Sequence, residues 1–328
     1  MTPPPPQRSA RLTIWGLLEV GAVLACLATL TGFLGRLWWV FELTCHFRLH
    51  LAVALGAMAI VWAVKRSWRM AAVCGVAAAV NAVLLLFLLW PGGKTVVAAG
   101  PRLRLVAINV HTENERSDLV LEFLRRTDAD VILLMEVNDR WMNALASLRT
   151  HYPQVIAEPR EDNFGIALFS RLPLTNSEIV EFGKAEVPSI ATTLEVGVQS
   201  VFLLGTHPLP PGSAGNARLR NEHFQEIATL IRRQSMPAIV LGDLNSTPWS
   251  PYFTDLLRHS GLKNASQRRA LVGSWPAWLP ALRIPLDHCL LAASIYVTDT
   301  RPGPKVGSDH LPVVVDVQIP TPSGVSPQ

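Results

Sequence analysis

Acidic residues are almost missing from the first third of this chain. Of 25 Asp and Glu among 328 residues, only Glu19 and Glu42 fall within residues 1–99. Charged residues are few overall, at 16% against roughly 25% in an ordinary soluble protein. Together with a mean hydropathy of +0.28, that shortage excludes a wholly soluble chain and a disordered one. Cysteine is limited to Cys26, Cys45, Cys74 and Cys289, and the last stands alone beyond residue 99, so no disulfide can form within that part. Basic clusters are missing there as well. Residues 100–328 hold 21 Lys+Arg and 23 Asp+Glu, a net of −2, whereas residues 1–99 hold 8 and 2, a net of +6. The pI near 9.1 therefore belongs to the first third, and a broad nucleic-acid-binding face on the remainder is disfavoured.

Long apolar runs fill that first third. Residues 70–90 (MAAVCGVAAAVNAVLLLFLLW) contain no charge, and a helix of that length spans roughly 31 Å, the thickness of a bilayer's hydrocarbon core. Asn81 is its one strongly polar side chain and is expected to bond to a neighbouring helix. Residues 12–34 form a second candidate, with Glu19 its only charge. A third covers about 43–64, where Arg48 shortens the uncharged part to 49–64 and implies tilt, snorkelling or local thinning. Trp38, Trp39, Trp62, Trp68 and Trp90 stand near the proposed ends, as an interfacial belt requires. A cleavable signal peptide fits poorly, because the first run is long and two more follow.

Arg8 and Arg11 precede the first span, and Lys65, Arg66 and Arg69 lie between the second and third. The loop between the first and second carries Arg36 and Arg48, offset by Glu42. The positive-inside bias then predicts a cytoplasmic N-terminus and, after three spans, an extracytoplasmic remainder; Lys94, Arg102 and Arg104 pull the other way. The expected organisation is a disordered 1–11, a transmembrane region 12–90, a linker 91–101, an α/β domain 102–319 and a disordered tail 320–328.

Within the domain, strand and helix signals alternate. Strands are expected at 103–110, 131–137, 164–169, 190–196, 201–206, 238–241, 286–291, 295–298 and 313–319, and amphipathic helices at 118–126 and 216–233. Several short strands with few long helices imply sheets packed face to face with helices outside.

Core strands need no acids or amides, yet polar residues stand where these strands end. Asn109 follows a strand, as do Glu136, His207, and Asp243 with Asn245 in GDLN. Asp287 sits in PLDHCLL, and Asp309 and His310 form SDH before another apolar run. Singly, each reads as a turn former or helix cap. The ordered set LVAINV, LLMEV, LLGTHP, VLGDLN, PLDHCLL and SDH, with FGIALFSRLPL between the second and third, resembles the endonuclease/exonuclease/phosphatase superfamily over about residues 102–318.

The resemblance implies a four-layer α/β sandwich, two mixed β-sheets flanked by helices, here preceded by about three transmembrane helices. It implies hydrolysis of a phosphate ester with Mg2+ or Mn2+. Glu136 would be the principal metal carboxylate, with Asn109 beside it and Asp309 near or on the metal. Asp243 would orient or activate the attacking water, and Asn245 would hold a phosphate oxygen. His207 would bind or protonate the phosphoryl group, and Asp287 would pair with His310. The chemistry is consistent, since Mg2+ prefers oxygen ligands and one or two carboxylates.

Other residues are read more plainly: His111, on a strand face with Asn109 and able to line the pocket there, first as a turn residue, His288 on the opposite strand face and outside the site, Arg220 on a solvated helix face, and Cys289 in the core. The substrate stays open among nucleic acid, lipid headgroup and small phosphoester. A degenerate, non-catalytic ligand-binding module on the same fold is the alternative to an enzyme. The lipid bilayer is the other expected partner.

Overall fold

The structure, a computed structural model, describes residues 13–89, 100–267 and 272–321. Of the segments expected to be disordered or linking, all of 1–11, residues 91–99 of the linker 91–101 and residues 322–328 of the tail 320–328 lie outside the described residues. The chain divides into two compact units, residues 1–86 and 87–328.

In the first unit, α1 (Ile14–Thr31), α2 (Trp39–Cys45), α3 (Arg48–Val64) and α4 (Trp68–Leu89) follow one another. The stretches Ile14–Leu34 and Trp68–Leu86 are long and apolar enough to cross a membrane. The expected third span is broken: α2 and α3 are bent by 66° at the break and pass the same test only as a pair. Arg48, where tilt, snorkelling or local thinning was expected, is buried at the start of α3. Its Nη1 donates to the Thr29 carbonyl (3.2 Å) and to Asn81 Oδ1 (3.2 Å), while Asn81 Nδ2 donates to Thr29 Oγ1 (2.8 Å). This polar knot joins α1, α3 and α4, as expected of Asn81, because an apolar surrounding offers these groups no other partners.

The second unit is built on β1 (Arg102–Asn109), β2 (Val131–Met135), β3 (Gln154–Glu158), β4 (Ile166–Ser170), β5 (Leu174–Glu181), β6 (Pro188–Val196), β7 (Gln199–Gly205), β8 (Ala238–Asp243), β9 (Lys263–Asn264), β10 (Asp287–Leu291), β11 (Tyr296–Pro302) and β12 (Val313–Gln318). Its helices are α5 (Ser117–Thr127), α6 (Asp139–Ala144), α7 (Ala214–Arg232) and α8 (Pro251–Ser260). One six-stranded sheet has the order β11-β12-β1-β2-β4-β3, the other β5-β6-β7-β8-β10-β9. Both are mixed: β1–β2 and β7–β8 are parallel pairs, and the remaining pairs are antiparallel.

Strand periodicity sorts side chains between layers. Leu105, Leu133, Leu168 and Val315 of the first sheet meet Leu194, Leu203, Leu241 and Cys289 of the second in the central core. Their neighbours Val106, Ile108, Ile132 and Leu134 face outward onto Val120, Phe123, Leu124 and Trp141 of α5 and α6. Leu204, Val240 and Leu290 face Phe224, Ile227, Ile231 and Phe253 of α7 and α8. Strands covered on both faces read as unbroken apolar runs such as VILLM, which is why a polar residue at their ends stands out. Ser213 and Ser250 accept N-cap hydrogen bonds at the starts of α7 and α8.

Candidate active site

The topology brings the singled-out residues to one edge. β1, β2, β7 and β8 contribute their C-terminal ends, while the antiparallel β10 and β12 contribute their N-terminal ends. Asp287 pairs with Asp243 across β10–β8, and Asn109 with Met135, the residue before Glu136. Backbone conformation turns the side chains inward. Glu136 (φ 61°), His111 (φ 59°) and Asn245 (φ 48°) all occupy the left-handed region, which costs an ordinary side chain about 1–2 kcal/mol and is concentrated at functional sites. Gly242, at φ 149°, approaches so closely that a Cβ would lie 1.9 Å from the Thr206 carbonyl oxygen. Only glycine fits, and the close contact sets the strand end carrying His207 against the one carrying Asp243.

Asp243 Oδ2 is the focus. Asn109 Nδ2 lies 3.4 Å from it, His310 Nε2 3.5 Å and His207 Nε2 3.6 Å. The Asn245 backbone N–H donates to Asp243 Oδ1 (2.9 Å). Burial opposes a negative charge on Asp243, but the adjacent His310 and His207 hold its carboxyl below the usual range. His310 is buried too; despite that, Asp287 and Asp243 raise it to about 10. Its Nδ1 sits 2.8 Å from Asp287 Oδ2, and burial raises the Asp287 carboxyl.

Beside this lies a carboxylate pair. Asn109 Nδ2 donates to Glu136 Oε1 (2.7 Å), and Asn109 Oδ1 accepts from the His111 N–H (3.0 Å). The His111 ring is 3.5 Å from Glu136 Oε2 and 3.8 Å from Asp309 Oδ1, both measured to Nδ1, so both carboxylates flank one imidazole. Asp309 Oδ2 accepts from Trp275 Nε1 (3.0 Å), whereas the buried Asp309 Oδ1 has no hydrogen-bond partner. An orphaned carboxylate oxygen beside an imidazole that a second carboxylate also flanks is the kind of oxygen donor a hard divalent cation takes. Asp243, Asp287 and His310 also place ligand atoms within 4.8 Å of one another, but there the imidazole already bonds one carboxylate through Nδ1.

All eight residues singled out in the sequence reach this edge. Asn245 does so with its amide engaged, Nδ2 donating to the Pro208 carbonyl (3.0 Å). One expectation needs correction. Arg220 is not on a solvated face: it is fully buried, and its Nη1 donates to the Asn245 carbonyl (3.3 Å). His111 occupies a turn and also faces both carboxylates. His288 is indeed outside, bonded through its ring to the Ser246 carbonyl (2.9 Å) and Asn264 (3.2 Å), with burial lowering it to about 4. Trp275 was missed and has no signal in the sequence. His223 was missed as well; it backs the T-H motif through Thr206 Oγ1 (2.9 Å), and burial drops it to about 3.

Two six-stranded mixed sheets with helices outside, and acids, amides and imidazoles at one edge, define a class of fold shared by nucleases, phosphodiesterases and phosphatases. The sequence model of the Endonuclease/Exonuclease/phosphatase family matches residues 106–310, and the chain belongs to that family. The solved structure of an endonuclease/exonuclease/phosphatase from Bacteroides vulgatus is similar at 18% identity and TM-score 0.56, covering 67% of this chain and 99% of that one. One from Beutenbergia cavernae is similar at 19% identity and TM-score 0.54, covering 67% and 72%. D. rerio TDP2, complexed with a single-strand DNA product, is similar at 14% identity and TM-score 0.55, covering 66% and 99%. A comparison with curated proteins finds no match.

Proposed function

We propose that this protein is a membrane-anchored phosphoesterase dependent on Mg2+ or Mn2+, with its catalytic unit outside the cytoplasm. The observation that carries the reading is the convergence of Asn109, His207 and His310 on Asp243 Oδ2, next to Glu136 and Asp309. Glu136 and Asp309 would hold the ion, with Asn109 bracing Glu136. The bound ion would neutralise and polarise a phosphoryl oxygen.

The chain's own groups supply the rest. Asp243, kept ionised by its imidazole neighbours, takes a proton from the attacking water. Asp287 holds the His310 Nδ1–H, so Nε2 carries a proton toward the reacting oxygens and the imidazolium offsets their charge. His207 is placed to donate to a phosphoryl or leaving oxygen. The bond from Asn245 Nδ2 to Pro208 steadies that amide, leaving its second N–H for a phosphate oxygen.

Sidedness rests on the basic residues around the apolar helices. With Arg48 and Glu42 both buried, the connection between the first two spans keeps only Arg36, against Lys65, Arg66 and Arg69 in the next loop.

The test uses full-length protein in detergent with bis(p-nitrophenyl) phosphate as a generic diester. Glu136→Ala and Asp243→Asn should each abolish metal-stimulated cleavage while circular dichroism stays unchanged. Retained activity in either removes that residue from the chemistry. A wild-type protein that binds phosphoesters without turning them over is the non-catalytic module instead.

A further inference from the structure

Beside the site lies an apolar loop that the mechanism does not use. From Trp275 to Leu282 the sequence WPAWLPAL has no charged residue. Its tip is exposed, with Trp278 at 68% and Leu282 at 44%, whereas large apolar side chains elsewhere in the unit are mostly buried. The loop is held at its base: Trp275 and Ile284 exchange backbone hydrogen bonds (3.2 and 2.6 Å), and Ala277 N–H donates to the Asp309 carbonyl (2.7 Å). Within it, Leu282 N–H donates to the Leu279 carbonyl (3.0 Å). Arg283 follows the apolar run and donates through Nη2 to the Ala277 carbonyl (2.5 Å). An exposed Trp and Leu on a braced support thus stand one side chain, Trp275, away from the Asp309 carboxylate.

A second loop that leaves the site, after His207, has the same character. His207 is followed by Pro208, Leu209, Pro210 and Pro211, and no Lys, Arg, Asp or Glu occurs from there to Asn216. Loops flanking a site for nucleic acid need cations to neutralise successive phosphates; these two offer apolar surface. A Trp and Leu beyond a single Arg is the pattern of side chains that settle at a bilayer's interface, ring and aliphatic groups below the headgroups and cation among them.

The occupant is argued from the same chain. Its apolar helices end at Leu89, and the next described residue is Gly100. Eleven residue steps reach no further than roughly 40 Å, so the unit that carries the loop stays tethered to whatever bilayer holds those helices.

We infer that the loop 275–282 inserts its tip into the interface of the anchoring bilayer, and that the site acts on phosphoesters presented at that lipid surface. This rests on the phosphoesterase reading above and narrows it to phospholipid headgroups or other lipid-linked phosphates.

The test reconstitutes full-length protein into phosphatidylcholine–phosphatidylglycerol vesicles. The double variant Trp278→Ser/Leu282→Ser should lose about tenfold or more of its turnover of vesicle phospholipid and keep its turnover of water-soluble bis(p-nitrophenyl) phosphate. Equal loss on both substrates, or loss on neither, overturns the inference, as does a preference of the wild type for single-stranded DNA over vesicle lipid. An independent arm needs no catalysis. Interfacially brominated phosphatidylcholine should quench an emission component that disappears in Trp278→Phe, a variant that retains lipid turnover. If that component is absent, the loop does not touch lipid; if it is present while no ester is cleaved, the enzyme reading fails and the contact stands.

Discussion

His310 Nδ1 lies 2.8 Å from Asp287 Oδ2, with both residues buried and Asp243 Oδ2 3.5 Å from the other ring nitrogen. The His310 ring is therefore held between two carboxylates, one on each ring nitrogen. Asp287→Asn keeps the shape and removes the charge that sustains the proton. Turnover of bis(p-nitrophenyl) phosphate should fall by about 10²–10⁴. His310, at about 10 in the native protein, should then deprotonate at lower pH, so the alkaline limb of the pH–rate profile moves toward neutrality. An unshifted limb would remove His310 from the rate-controlling chemistry.

Metal binding should register in stability as well as in turnover. Glu136 and Asp309 both flank the His111 ring, and a cation held by them would bind the folded chain and not the unfolded one. Melting in excess Mg2+ or Mn2+ should exceed melting in EDTA by about 3 kcal/mol at a hundredfold excess over Kd. Asp309→Asn and Glu136→Gln should each abolish most of that increment. An equal rise in both variants would place the ion elsewhere.

Acid should destabilise the catalytic unit through His223 and His288. Burial lowers their native pKa values to about 3 and about 4, from 6.5 when unfolded. The unfolded chain takes up protons first, so the stability these neutral rings contribute is complete above 6.5 and is lost as pH falls toward those native values. At about pH 5 each should have cost ~2 kcal/mol. Thermal melts from neutral to acid should show the decline, and His288→Asn should flatten it.

Arg220 acts through Asn245. Its Nη1 reaches the Asn245 carbonyl, and its Nε and Nη2 reach Asn221 Oδ1 (3.0 and 2.8 Å). Arg220→Met leaves that carbonyl unbonded and should cost about 1–3 kcal/mol. It should lower kcat more than it raises KM, with partial rescue by Arg220→Lys. An unchanged kcat would make Arg220 purely a packing residue.

Much of this architecture was legible in advance. β1, β2, β7, β8, β10 and β12 were visible because strands covered on both faces must be apolar throughout, and their polar ends then had no explanation in packing. α5 and α7 were visible from their amphipathic spacing. β3 and β5 were not. β5 reads LTNSEIVE and is largely exposed, so its pairing with β6 forms it and no burial pattern marks it. α8 was passed over although Ser250 and Pro251 carry a helix-start signal. Arg220 was misplaced for another reason: a polar residue on a helix looks alike whether water or a buried carbonyl faces it.

The order of residue types along the chain determined the family, the apolar helices and which strand ends carry polar side chains, because burial dictates composition locally. Tertiary structure alone decided that Asp243 is the focus, that Trp275 and His111 join the carboxylates, and that Arg48 is buried. Those relationships join residues far apart in the chain, such as Trp275 with Asp309 or Arg48 with Asn81, and a hydrogen bond between them leaves no periodic trace in the sequence.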